Sequence, residues 1–155
     1  MQAFKDLISH EGRWRGTNRL QVSEAEGAED SLSTLTVVPM LAGRFVRIDQ
    51  TWSWNGKPQD GSLLIGFQQA THVVTAHWID TFHMGNKVMA CEGIVNHDGL
   101  LDVRGEYAAP PGPNWGWRIT IDAKVPDRLE ITMCNIEPGG KEEFAVLATY
   151  SRVGK

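Results

Sequence analysis

The residues best suited to chemistry lie in the run Trp78-Ile79-Asp80-Thr81-Phe82-His83-Met84-Gly85. Asp80 and His83 are three residues apart, where a strand pattern runs into a turn. A carboxylate that holds one imidazole nitrogen fixes the tautomer and leaves the other nitrogen for a ligand or for general-base work. The plainer reading is that Asp80 caps the turn through backbone N–H groups, with His83 partly exposed. Trp78 precedes the pair and would stand beside it on the strand.

A second candidate run is Gly112-Pro113-Asn114-Trp115-Gly116-Trp117-Arg118. Trp115 and Trp117 could form an apolar lip that ligands cross, since pocket walls are mainly aromatic and aliphatic; ordinary core packing is the competing reading. Arg118 has the guanidinium fork that grips a carboxylate. Strict alternation, however, puts it on the face opposite the tryptophans unless a bulge at Gly116 breaks the period. Glu92 shares a face with Ala90 and Ile94, and Tyr107 and Asn135 end apolar faces. Each could anchor a ligand from inside, though such residues are commonly hydrogen-bonded near a barrel end. Trp52 and Trp54, before Asn55-Gly56, belong to the same rim.

Several chemistries lack their residues. There is no nucleophile elbow and no phosphate loop. His72, His77, His83 and His97 form no HxH, HExxH or Cys/His spacing, so no metal site is expected. Cys91 and Cys134 form no CxxC pair; free thiols are expected and a disulfide stays open. Lys and Arg number 15 against 19 Asp and Glu, giving a net charge of -4 with no basic tract. Nucleic acid is therefore not an expected partner, because phosphate binding needs clustered positive charge. Met1 to His10 carry no continuous apolar h-region, and no apolar run reaches the ~20 residues of a membrane helix. The expectation is a soluble, cytoplasmic chain whose 155 residues form one domain, without a membrane partner.

The elements that must position these side chains are short strands. After a helix-spaced start, with Phe4, Leu7 and Ile8 on one side, strand patterns fall at 13–23, 31–39, 43–53, 61–68, 72–80, 87–95, 100–108, 116–123, 128–136 and 142–152. Asn55-Gly56, Gly85-Asn86 and Asp98-Gly99 mark tight hairpins, and Pro110-Pro111-Gly112-Pro113 marks one stiff loop. Consecutive strands joined this way cannot be parallel, so the pattern predicts an all-β fold: an antiparallel up-and-down sheet of ten strands. So many strands favour closure into a barrel, with a two-sheet sandwich as the competitor. Alternation places Leu129, Ile131 and Met133 on one face with Asn135, and Asp102, Arg104, Glu106, Arg118 and Asp122 on an outer charge ladder.

Gly12-Arg13-Trp14-Arg15-Gly16, after the helix, resembles the G-x-W start of lipocalin-like (calycin-type) barrels. The resemblance implies that Trp14 closes one barrel end with Arg152 packed over its ring. The runs W-x-D-x-F-H-M-G and G-P-x-W-G-W-R, with Leu41-Ala42-Gly43-Arg44-Phe45 and Met133-Cys134-Asn135-Ile136, resemble a bacterial domain-of-unknown-function family, number 1579. That resemblance implies the lipocalin-like barrel and no particular activity; Cys134 stands where a tyrosine is the expected residue. The G-x-W-x-G start also resembles nitrobindin-like haem barrels, which take an axial histidine from late in the chain. Nothing after His97 is histidine, so no cofactor is expected.

The resulting expectation is a binding module for a small apolar or amphipathic molecule, with Trp78, Asp80, His83, Glu92, Tyr107, Trp115, Trp117, Arg118 and Asn135 as candidate contacts. The alternatives are an isomerase or hydrolase using Asp80 and His83 in the same cavity, or a haem-binding barrel of the nitrobindin-like kind that the start of the chain resembles. Exposed tryptophans would instead serve a partner protein or a homodimer.

Overall fold

The computed structural model describes residues 1–154. Helix α1 (Gln2–Ser9) is followed by β1 (Gly12–Gln21), β2 (Ala28–Met40), β3 (Phe45–Trp54), β4 (Lys57–Gln68) and β5 (Val73–Asp80). The chain continues through β6 (Met89–Val95), β7 (Leu101–Tyr107), β8 (Trp115–Asp122), β9 (Arg128–Ile136) and β10 (Glu142–Arg152). Each strand pairs antiparallel with the next, and β10 returns to β1, so the sheet closes as a barrel and the two-sheet alternative falls away. Closure pairs every strand on both sides and leaves no edge.

The hairpin chemistry explains the short connections. Asn55 and Gly56 take φ of 49° and 73°, the left-handed pair that matches strand twist in a two-residue turn. Alternation then sends one side chain in two to the interior. Ile48, Leu63, Ile65, Ile119, Leu129 and Ile131 are fully buried there. The register is regular except on β10, where a bulge between Phe144 and Val146 inserts Ala145 as an extra inward residue.

The up-and-down path gives the barrel two distinct ends. At one end, α1 lies across the opening with Phe4 and Leu7 buried, and Phe4 packs against Phe67 at 6.0 Å. An eight-residue helix is marginal alone, so this packing is what holds it. Trp14 plugs the same end. Its Nε1–H donates to the carbonyl of His10 at 2.9 Å, the His10 ring stacks on one face at 5.0 Å, and the Arg152 guanidinium lies 4.5 Å over the indole. His10 is itself buried. Its ring nitrogens meet the carbonyl oxygens of Asp6, Val125 and Arg128 at 2.7, 3.0 and 3.1 Å. Arg152 donates to the carbonyls of Glu11, Ser9 and Pro126, so the plug ties α1, β10 and the β8–β9 turn together.

Outside, the predicted charge ladder forms in part. Arg118 grips Asp102 with two hydrogen bonds of 2.9 and 2.7 Å and also reaches Glu142 at 3.1 Å, while Arg104 lies 3.6 Å from Glu142. Burial opposes ionisation of Asp102, but the Arg118 and Asn96 hydrogen bonds outweigh it and hold its pKa below the ordinary carboxylate value. Asp122 pairs instead with Lys124, at 3.6 Å. No helix among the described residues is long and apolar enough to cross a membrane.

Candidate functional site

The end opposite the plug is open, rimmed by the turns after β1, β3, β5, β7 and β9. It holds a cavity of about 560 Å³ whose lining includes Trp78, Phe82, His83, Met84, Met89, Tyr107, Trp117, Asn135 and Ala145. That volume lies within the ~300–1,000 Å³ typical of small-molecule sites. A depression of about 670 Å³ lies on the outer face of β2–β5, with Thr34, Thr36, Asp49, Thr51, Ser62, Ile79 and Val88 in its lining. Gly85, Lys87 and Val88 border both, so the segment between β5 and β6 is the wall that separates them.

That segment is held from its base by Asp80. The carboxylate has no exposed surface on its side chain, and it accepts three hydrogen bonds: His83 N at 2.7 Å, Met84 N at 2.9 Å and His83 Nδ1 at 2.5 Å. Both roles read from the sequence therefore coexist, because one oxygen caps the turn while the other fixes the imidazole. With Nδ1 given to Asp80, Nε2 is the nitrogen left for a ligand. The ring is one-fifth exposed and leans on Trp117 at 5.0 Å and on Phe82 at 4.7 Å.

The aromatic wall extends from there. Trp78 stacks with Trp52 at 6.4 Å, and Trp54 meets Phe82 edge-on at 5.9 Å, which fills the β3–β5 side of the mouth. Gly61 makes this arrangement possible: a Cβ there would sit 2.4 Å from the Trp78 ring and 3.1 Å from Trp52. Across the cavity, the Tyr107 hydroxyl donates to Asn135 Oδ1 at 2.5 Å. Burial pushes the Tyr107 phenol up, and Glu143 nearby adds to the shift. Among the described residues, the buried Nε1–H groups of Trp52, Trp78 and Trp117 have no hydrogen-bond partner, each at a cost of about 1–3 kcal/mol if it stays so.

Trp78, His83, Tyr107, Trp117 and Asn135 thus meet around one space, and Asp80 supports them from behind. Three candidates lie elsewhere. Glu92 faces solvent beside Ala90 and Ile94, because Met89 and Cys91 take the inward positions of β6. Arg118 also faces out, since β8 has no bulge at Gly116; its fork is already filled by Asp102 and Glu142. Trp115 is half-buried opposite Tyr107 on the rim and does not line the cavity. Sequence reasoning missed Phe82, Met84, Lys87, Met89 and Ala145. The first three lie within or just beyond the run already singled out, whereas Ala145 is turned inward by a bulge that no glycine announces. Cys91 is buried and its thiol is pushed up to about 11 by burial; Cys134 is a second free thiol, half-buried on the outer face. Among the described residues no three His, Cys, Asp or Glu side chains cluster as metal ligands would.

A closed ten-stranded antiparallel barrel, plugged at one end by a short helix, is a lipocalin-like barrel. The chain belongs to the family described as protein of unknown function (DUF1579), whose model matches residues 3–152. Among solved structures, it is similar to Rv2717c from M. tuberculosis, with 14% identity, 99% of each chain covered and a TM-score of 0.63. It is also similar to the S-type phycobiliprotein lyase CPES from Guillardia theta, with 13% identity, 97% of this chain and 92% of that chain covered, and a TM-score of 0.60. At such identities the likeness is one of fold. No curated protein matches.

Proposed function

We propose that this barrel binds a small, largely apolar molecule through its open end, with the body of the ligand against Trp78, Trp117, Met84 and Met89. The observation that carries the reading is the 560 Å³ cavity, aromatic-walled and reached from solvent, beside a histidine whose orientation is fixed by a buried carboxylate. Burial of apolar surface there supplies the driving force, at roughly 25 cal/mol per Å² before the costs of association. His83, Tyr107 and Asn135 supply the few polar contacts that set orientation. A lyase built on the same fold, as in Guillardia theta, is compatible with a barrel that handles another molecule.

The Asp80–His83 pair supports a second reading, acid–base catalysis on the bound molecule. The cavity lining offers His83 as a base and includes no Ser, Thr or Cys as a nucleophile. Proton transfer therefore suits it better than covalent catalysis.

Native mass spectrometry of the protein purified without added ligand, followed by organic extraction, tests the binding reading. A stoichiometric retained molecule that is lost on filling the cavity by Ala145→Leu is the expected result. A retained molecule that survives this substitution would place the site elsewhere.

A further inference from the structure

The wall of the open-end cavity differs in kind from the rest of the barrel interior. Five rings border it, those of Trp78, Phe82, His83, Tyr107 and Trp117, and the thioethers of Met84 and Met89 join them. Among the described residues, its lining has no Leu and no Ile. Elsewhere the buried side chains are mostly aliphatic, Ile48, Leu63, Ile65, Ile119 and Ile131 among them. The rings come from one arc of the closed sheet, β5 to β8, and from the segment that follows β5. On β10, which stands opposite β5 in the ring of ten strands, the lining residue is Ala145, a single methyl turned in by the bulge. Charge does not choose a ligand here, because Lys87 and Glu106 both lie exposed on the rim with opposite signs.

We propose, on the reading that the cavity is a ligand site, that its ligand is a planar conjugated ring system rather than a flexible alkyl chain, lying between the ring-bearing arc and Ala145. Aromatic pairs favour edge-to-face and offset-stacked arrangements and attract beyond what burial of area supplies. The wall rings already meet one another at steep angles: His83 is inclined 55° to Trp117 and 79° to Phe82. The wall is therefore not one flat stack, and a guest ring finds both edges and faces. The sulfurs of Met84 and Met89 add contacts of their own to an aromatic edge. A saturated chain gains none of these attractions and gives up the freedom of its torsions on binding. With Nδ1 bound to Asp80, Nε2 of His83 serves a polar substituent on the ring.

The experiment compares 2-naphthol with decahydro-2-naphthol by isothermal titration at neutral pH. The two share a fused two-ring skeleton and one hydroxyl, and neither carries a charge. The saturated compound has at least as much apolar surface, so burial alone predicts that it binds as tightly or more tightly. 2-Naphthol is instead expected to bind about tenfold tighter. Phe82→Leu, in the segment outside the strands, is expected to cut that preference to about threefold. Equal affinities, or a tighter saturated compound, overturn the planar class and leave the cavity as an apolar site. A preference undiminished in Phe82→Leu overturns the assigned role of that ring. 2-Naphthol affinity unchanged in Ala145→Leu places the ring outside this cavity and overturns the proposal. Failure of both compounds to bind, with no molecule retained from purification, removes the binding reading itself.

Discussion

The two ends of this barrel use tryptophan in opposite ways. At the plugged end the Trp14 ring is sandwiched between His10 and Arg152, and its N–H has a carbonyl partner. At the open end Trp78 and Trp117 border a cavity, and their buried N–H groups have no partner among the described residues. Packing and hydrogen bonding agree at the first end, as they do where a residue serves stability. They disagree at the second, where unsatisfied polar atoms sit beside unfilled space, which is the pattern of a site that gains from a guest. On the proposed reading, the difference separates a wall that serves stability from one that serves a ligand.

The comparison breaks most visibly at Trp14. Trp14→Ala should cost about 3–5 kcal/mol, because it removes a fully buried ring together with the seat of Arg152. Urea denaturation measures it, and a loss below about 1 kcal/mol would mean that the plug is not a stability element. His10→Phe comes next, at about 2–3 kcal/mol, since it leaves the carbonyls of Asp6, Val125 and Arg128 facing a ring that cannot donate. Smaller but more telling is Trp117→Phe. It deletes an N–H that has no partner and should change stability by less than about 1 kcal/mol, whereas Trp14→Phe loses a made hydrogen bond and should cost more. Equal costs for the two Phe variants would erase the distinction between the ends.

The smallest effect is on the outer wall, where Asp102 and Arg118 pair. Asp102→Asn should cost about 1 kcal/mol at neutral pH. The folded carboxyl is held below its unfolded value, so its contribution is present above the unfolded pKa of about 3.9 and is lost as the pH falls through the folded one. Chemical denaturation of both proteins across the acid range should therefore show the gap closing below about pH 4. A gap that widens in acid would assign the stabilisation to some other group.

Much of the barrel is legible in the chain because turn chemistry and alternation are local. Asn55-Gly56 names its hairpin, and Leu129, Ile131 and Met133 name their face. The parity of β8 alone sets Arg118 outward, and its partners Asp102 and Glu142 show that the position was filled by the wall. Glu92 was misleading for a physical reason: β6 is apolar on both sides, with Ala90 and Ile94 outside and Met89 and Cys91 inside, so alternation marks no inner face. Ala145 was invisible because the bulge that turns it inward carries no glycine. The His10 clasp was equally hidden, since it joins residues 118 positions apart through backbone carbonyls. Asp80 and His83 could be paired from their spacing alone, but the cavity that His83 lines depends on which turns meet at one end of a closed sheet.

The most direct test of the difference between the ends is the indole region of a 15N–1H spectrum during titration with decan-1-ol, a neutral probe of the cavity alone. The Nε1–H signals of Trp78 and Trp117 should move together and saturate, while the Trp14 signal, held by the His10 carbonyl, stays fixed. Movement of Trp14 with Trp78 and Trp117 still would place the binding site at the plugged end and contradict the account.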